Sequence, residues 1–180
     1  NTIDQSPDSI IAGGVSNKIR EAKNNLGYNF VGGGNGNDIT YSTNSTTFGY
    51  NNDISHSVNS VIFGGLENAI NGGAGSSQVL TSSIFGGEFN TISLGTSRSI
   101  CIVGKKGRVD HDGAVLLGDG LGGIKTTSGD NTATLNFANG VYVETTSGFY
   151  VNGNIVMTGA NPYDEDTLQT VTTRGNTTDK

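Results

Sequence analysis

The chain has 180 residues, of which 29 are Gly and none Trp, with 33% hydrophobic residues and a formal net charge of −6. So small an apolar fraction, against a globular norm of roughly 45–50%, disfavours one large single-chain core, and low charge with regular motifs disfavours plain disorder. The acidic balance, with a pI near 4.7, disfavours nucleic acid, which needs a basic footprint.

Cys101 is the one cysteine, so no intrachain disulfide framework and no Cys-based metal site is expected. No apolar run approaches the ~18 residues of a membrane span, so no membrane insertion is expected. The first residue is Asn1 and no signal-peptide pattern follows it, which reads as a fragment or processed piece of a longer protein.

In chain order, one motif recurs. Residues 9–19 read SIIAGGVSNKI, 29–39 NFVGGGNGNDI, 45–54 STTFGYNNDI, 60–70 SVIFGGLENAI and 82–92 SSIFGGEFNTI. Residues 99–109 (SICIVGKKGRV) are a degraded copy and 114–119 (AVLLGD) a partial one. The closing residues Ile19, Ile39, Ile54, Ile70, Ile92 and Val109 are spaced by 20, 15, 16, 22 and 17 residues. A base period of 15–16 follows, with polar or Gly-rich insertions at 20–26 and 71–79 that read as loops outside a coil.

Each copy reads as a short strand, a turn and a second short strand, too brief and too β-branched for a helix. Gly13, Gly14, Asn17, Gly33, Gly34, Asn37, Gly64, Gly65, Asn68, Gly86, Gly87 and Asn90 fill the turns, since Gly and Asn reach positive φ. Tyr50 stands for the second Gly of its copy and Val103 for the first. The inward positions are Ile11, Ile19, Val31, Ile39, Ile54, Ile62, Ile70, Ile84, Ile92 and Val109. Fifteen residues at ~3.3 Å enclose a perimeter of at most ~50 Å, and six coils stacked at ~4.8 Å make a rod about 30 Å long. So thin a coil leaves faces bare, and association of several chains, inferred as a trimer, would cover them.

The repeat domain is placed at 1–118 and a junction at 119–123. Residues 124–158 read as a second module of short strands with Asn-Gly hairpin signals, and 159–180 as an extended polar linker.

The repeats resemble the β-roll heads of trimeric autotransporter adhesins of the YadA-like kind, and equally β-roll segments of phage and other viral fibres. Residues 148–153 (GFYVNG) resemble a strand-turn unit of tail-fibre shafts, and 167–178 (TLQTVTTRGNTT) a linker between phage fibre modules. The resemblance implies an all-β fold of left-handed parallel β-roll (solenoid) repeats, homotrimeric, followed by a small β module. It implies a structural segment of a virion fibre aiding host attachment, extracellular, with neighbouring fibre modules, other virion proteins and a host-surface glycan as partners. The alternatives are the head of a bacterial trimeric autotransporter at the cell surface and, behind it, a polysaccharide-degrading tailspike enzyme. An ice-binding solenoid would need Thr in register, and Thr46, Thr47, Thr81 and Thr91 do not recur at one repeat position.

Residues that could carry chemistry read better as structure. Residues 33–38 (GGNGND) resemble a Ca²⁺-binding nonapeptide, but the apolar position is displaced to Ile39. The Gly-rich turns lack the following helix and the Gly-Lys-Ser/Thr of a phosphate cradle. Asp110, His111 and Asp112, with Asp119 near, are the densest titratable cluster and fit a sharp turn; His56 reads as a lone exposed residue. Asp164, Glu165 and Asp166 are adjacent acids without the cleft spacing of a glycosidase pair. No catalytic residue, metal or cofactor is expected. The candidate binding residues are Tyr28 and Tyr50, with Tyr41 beside them, as loop aromatics, and Lys105 and Lys106 as the one basic cluster. Phe48, Phe63 and Phe85 share a repeat position and read as core or inter-chain residues.

Overall fold

Side chains alternate across a strand, so a two- or three-residue strand centred on one Ile turns a single side chain inward. That is the unit of this chain. A computed structural model describes residues 1–20, 27–121, 123–139, 141, 149–151 and 154–157. The insertion at 20–26 lies outside them save Arg20, as do 159–180. Two units are separated, Asn1–Gly140 and Val141–Lys180.

The first unit is a β-solenoid of about seven turns, with all strands parallel. One eight-stranded sheet stacks Thr2–Asp4, Lys18–Arg20, Asp38–Thr40, Asp53–Ser55, Ala69–Asn71, Thr91–Ile92, Gly107–Val109 and Lys125–Thr126. The other stacks Ile10–Ile11, Phe30–Val31, Thr46–Thr47, Val61–Ile62, Ser83–Ile84, Ile100–Val103, Val115–Gly118 and Ala133–Asn136. A narrow third side pairs Ser57–Val58 with Val79–Leu80.

The register lays the closing residues over one another: Ile19, Ile39, Ile54, Ile70, Ile92 and Val109 form one column. Val31, Thr47, Ile62, Ile84, Cys101 and Leu116 form the facing column. All twelve are fully buried, and Ile11 packs part-buried against them.

The corners are polar, and asparagines build one of them. The backbone N–H of Asn37 donates to Asn17 Oδ1 at 3.0 Å, that of Asn52 to Asn37 Oδ1 at 3.1 Å, Asn68 to Asn52 at 2.9 Å and Asn90 to Asn68 at 3.0 Å. Each Nδ2 donates to a carbonyl of its own turn and to one of the next; Asn68 reaches Gly64 O at 3.0 Å and Gly87 O at 2.9 Å. A second corner uses shorter rungs: Asn29 N–H donates to Ser9 Oγ, Ser45 N–H to Asn29 Oδ1, and Ser99 N–H to Ser82 Oγ.

Two sequence-based placements change. The residue missing from 45–54 is the first Gly, not the second. A Cβ on Gly34 would meet Gly49 O at 1.9 Å, and one on Gly49 would meet Gly65 O at 2.6 Å, so Gly49 belongs to the second-Gly column. Tyr50 pairs with Leu66 instead. The repeat domain also runs past 118. Lys125–Thr126 and Ala133–Asn136 extend the two sheets, and the compact unit ends at 140. These last coils keep the strand alternation, but Gly118 and Asp119 stand where the motif has its Gly pair. In the second unit, Phe149–Val151 and Asn154–Met157 form an antiparallel pair.

Where the copy degrades, the changes compensate. A Cβ on Gly107 would lie 2.8 Å from Val103 Cγ2 and 2.9 Å from Cys101 Sγ. Val103, at the first-Gly position, thus fills the space that the ladder Asn occupies elsewhere. Asn90 Oδ1 still finds a donor, the Gly107 N–H at 2.6 Å.

Two outcomes follow. Asn68→Ala strands buried donors and acceptors on two neighbouring coils, at roughly 1–3 kcal/mol for each group left unpaired, so its urea midpoint falls well below wild type with the slope unchanged. Among the described residues, Thr47 Oγ1 is the one buried side-chain oxygen or nitrogen without a partner. Thr47→Val, in line with Val31 and Ile62, removes that orphan and raises stability by about 1–2 kcal/mol in the same measurement.

Candidate functional site

With the interior filled by one residue per sheet per coil, function falls to the outward faces, and these differ in kind. The outer face of the second sheet carries two columns. One runs Ile10, Phe30, Thr46, Val61, Ser83, Ile100 and Val115. The other includes Phe48, Phe63, Phe85, Ile102, Leu117 and Leu135. None of these residues is charged. Phe63 and Phe85 stack at 5.0 Å between ring centroids, and Phe30 meets Phe48 edge-on at 5.8 Å. Both stacked rings remain half exposed, Phe63 at 55% and Phe85 at 51%. The second column spans about 24 Å at ~4.8 Å per coil. The phenylalanines are therefore outside the coil's own core.

The outer face of the first sheet is polar. Lys18, Asp38, Asp53, Ala69, Thr91 and Arg108 form one column, and Arg20, Thr40, Ser55 and Asn71 its neighbour. Arg20 pairs with Asp38, which also accepts from Thr40 Oγ1 at 2.9 Å. Asp53 lies in register beside Asp38. Its carboxyl is pushed up to about 6, first by burial and then by the Asp38 charge, with Arg20 opposing. Asp38, drawn from the calcium-like segment, is thus engaged by a cation of the protein itself.

The candidate binding residues are not brought together. Tyr28 is exposed at one corner at φ +53°. Tyr50 and Lys105 share the bridge column through Leu66 and Glu88 but stand three coils apart, about 14 Å. Lys105 pairs with Glu88 at 2.8 Å and sits 5.5 Å above the Phe89 ring. Lys106 occupies the next corner position at φ +57°.

The acid–histidine cluster braces corners. Burial works against the Asp110 charge, but hydrogen bonds from Ser93 and Arg108 and the charges of Arg108 and His111 hold its carboxyl below the usual value. Asp112 accepts from the Ser97 N–H at 2.7 Å, and His111 Nδ1 lies 2.8 Å from Thr127 Oγ1. Asp119 accepts from the backbone N–H groups of Ala138 and Leu121, which hold its carboxyl below the usual value. Among the described residues no three His, Cys, Asp or Glu gather around one point. Asp164, Glu165 and Asp166 lie outside the described residues.

One arrangement escaped the sequence reading. His56 is not alone: its ring stacks on Tyr41 at 4.8 Å between centroids. The signal was present, since each stands two residues after a closing Ile.

Asp53 supplies a pH dependence. Its folded value, about 6, lies above the ordinary 3.8, so folding favours the protonated form. The stabilisation is fully present below about 3.8 and is lost as pH rises through about 6. The urea midpoint should be higher at about pH 5 than at about pH 7.5, by a shift equivalent to about 1–1.5 kcal/mol. Asp53→Asn should flatten that difference.

Compared with protein-family models, with curated proteins and with solved structures, the chain matches none.

Proposed function

We propose that this chain is a structural segment of a homotrimeric virion fibre of the phage tail-fibre kind, in which left-handed β-roll coils present surface loops for host attachment. The observation that carries the reading is the outer face of the second sheet. An apolar, uncharged column with phenylalanines half in water marks an interaction surface. Its occupants are two further copies of the same chain. The face is built from a repeat, so a second and third copy offer the same spacing of apolar steps, and a closed ring buries all three faces at once. The polar first sheet faces solvent. In this reading the antiparallel pair Phe149–Val151 and Asn154–Met157 belongs to a small β module.

Three equivalent copies make attachment multivalent. Weak contacts at identical loops multiply through effective concentration, so a fibre needs no single tight site. The segment is not an enzyme in this reading; its output is shape and valency.

Light scattering coupled to size exclusion tests it. The expected mass at micromolar concentration is three times that of the 18.5 kDa chain. Phe63→Ser with Phe85→Ser should shift the mass to one chain while the β circular dichroism persists. A folded wild-type monomer at that concentration would overturn the reading.

A further inference from the structure

We infer that the cleft between the Tyr41–His56 stack and the loop after Gly72 is a binding site for an uncharged saccharide. The inference extends the attachment reading above, but one chain builds the whole cleft.

Tyr41, His56 and Gly72 occupy the same corner on three consecutive coils. The Tyr41 N–H donates to Arg20 O, that of His56 to Thr40 O and that of Gly72 to Ser55 O. Tyr41 and His56 both hold positive φ, +51° and +48°, which turns their rings outward into a stack. Gly72 has no side chain to continue the column. There the chain leaves the repeat, forms a 3-10 turn at Gly75–Ser77 and returns at Val79–Leu80. The loop is fixed at its base, since the Gly73 N–H donates to Ser77 O at 2.9 Å and the Gly95 N–H to the same oxygen at 3.1 Å. A preformed cleft of about 460 Å³ results, lined by Tyr41, His56, Ala74, Gly75 and Gln78.

Three features select the ligand. Among the described residues, the lining carries no Asp, Glu, Lys or Arg. The stacked rings give a flat, polarizable wall, and the C–H face of a pyranose ring packs on such a wall by dispersion. The small Ala74 and Gly75 leave room opposite, while the Tyr hydroxyl, the His ring and the Gln amide are the polar groups that orient hydroxyl-rich ligands. A rod needs no insertion here, and loops inserted into repeats commonly form the binding face.

The 180-residue chain is applied to an array of uncharged and anionic saccharides, and the strongest uncharged hit is titrated calorimetrically. Binding to at least one uncharged saccharide is expected, with little change between about 0.05 and 0.5 M salt. Tyr41→Gly removes the ring while Gly accepts the same φ, so the coil is kept; it should weaken binding at least about tenfold without changing mass. The inference is overturned by no binding to any uncharged saccharide, by binding to anionic saccharides alone, or by equal binding in Tyr41→Gly. Mass on the same samples separates the two readings. A monomer that binds removes the trimer and keeps the cleft; a trimer that does not bind does the reverse.

Discussion

Backbone amides at the asparagine corner are the constraint on which the rest depends. A coil of fifteen or sixteen residues turns so often that many of its N–H and C=O groups point inward, where each unpaired group costs roughly 1–3 kcal/mol. Strands of two to four residues cannot absorb them all. The side chain of Asn68 meets the demand with an acceptor for the coil on one side and donors for its own turn and the next. Because each rung contacts the rung of the neighbouring coil, a coil is complete only when stacked. That is the physical content of quasi-one-dimensional stability.

Filling the corners with amides limits what remains for apolar groups. Between the ladders there is room for one side chain from each sheet per coil, such as Ile70 facing the column of Ile62 and Ile84. Apolar residues beyond that number have nowhere to go but outward. Some, such as Val15, Phe89 and Leu94, stand at corners and loops, but of the two sheet faces the second takes the apolar columns, leaving Lys18, Arg20, Asp38 and Asp53 to the first. The low apolar content of the sequence and its exposed phenylalanines are thus two results of one narrow cross-section. The exchange at Val103 and Gly107 obeys the same limit: when a β-branched side chain enters the corner, the asparagine must leave.

The repeat was legible because its parts have single jobs. A Gly pair, an Asn three residues on and a closing Ile mark a corner, a rung and a core position, and periodicity alone assigns them. The rest was hidden for physical reasons. Coils after Val109 keep alternation, as in Ala133–Asn136 over Val115–Gly118, but drop the rung, so a motif search loses them at 118. Tyr50 was misplaced because either Gly could have been the one deleted, and only the close approach of Gly49 to Gly65 O decides. The stack of Tyr41 on His56 was hidden because sequence shows which residues share a corner and not which corners project.

The ladder is indifferent to what happens between its rungs. Asn52 and Asn68 are separated by 16 residues and Asn68 and Asn90 by 22, yet the rung contacts are 2.9 and 3.0 Å. The additional residues leave at Gly72 and return at Val79, which pairs with Ser57 in the parallel register of its column. An insertion therefore costs loop-closure entropy, which grows only slowly with length, and leaves the core, the rungs and the apolar face unchanged. Such a scaffold can vary its surface at one corner while holding the apolar face of another sheet fixed. A recurrent motif builds the rod, and for that reason a recognition element is to be sought where the recurrence is broken, at Gly72 more than at any Gly pair.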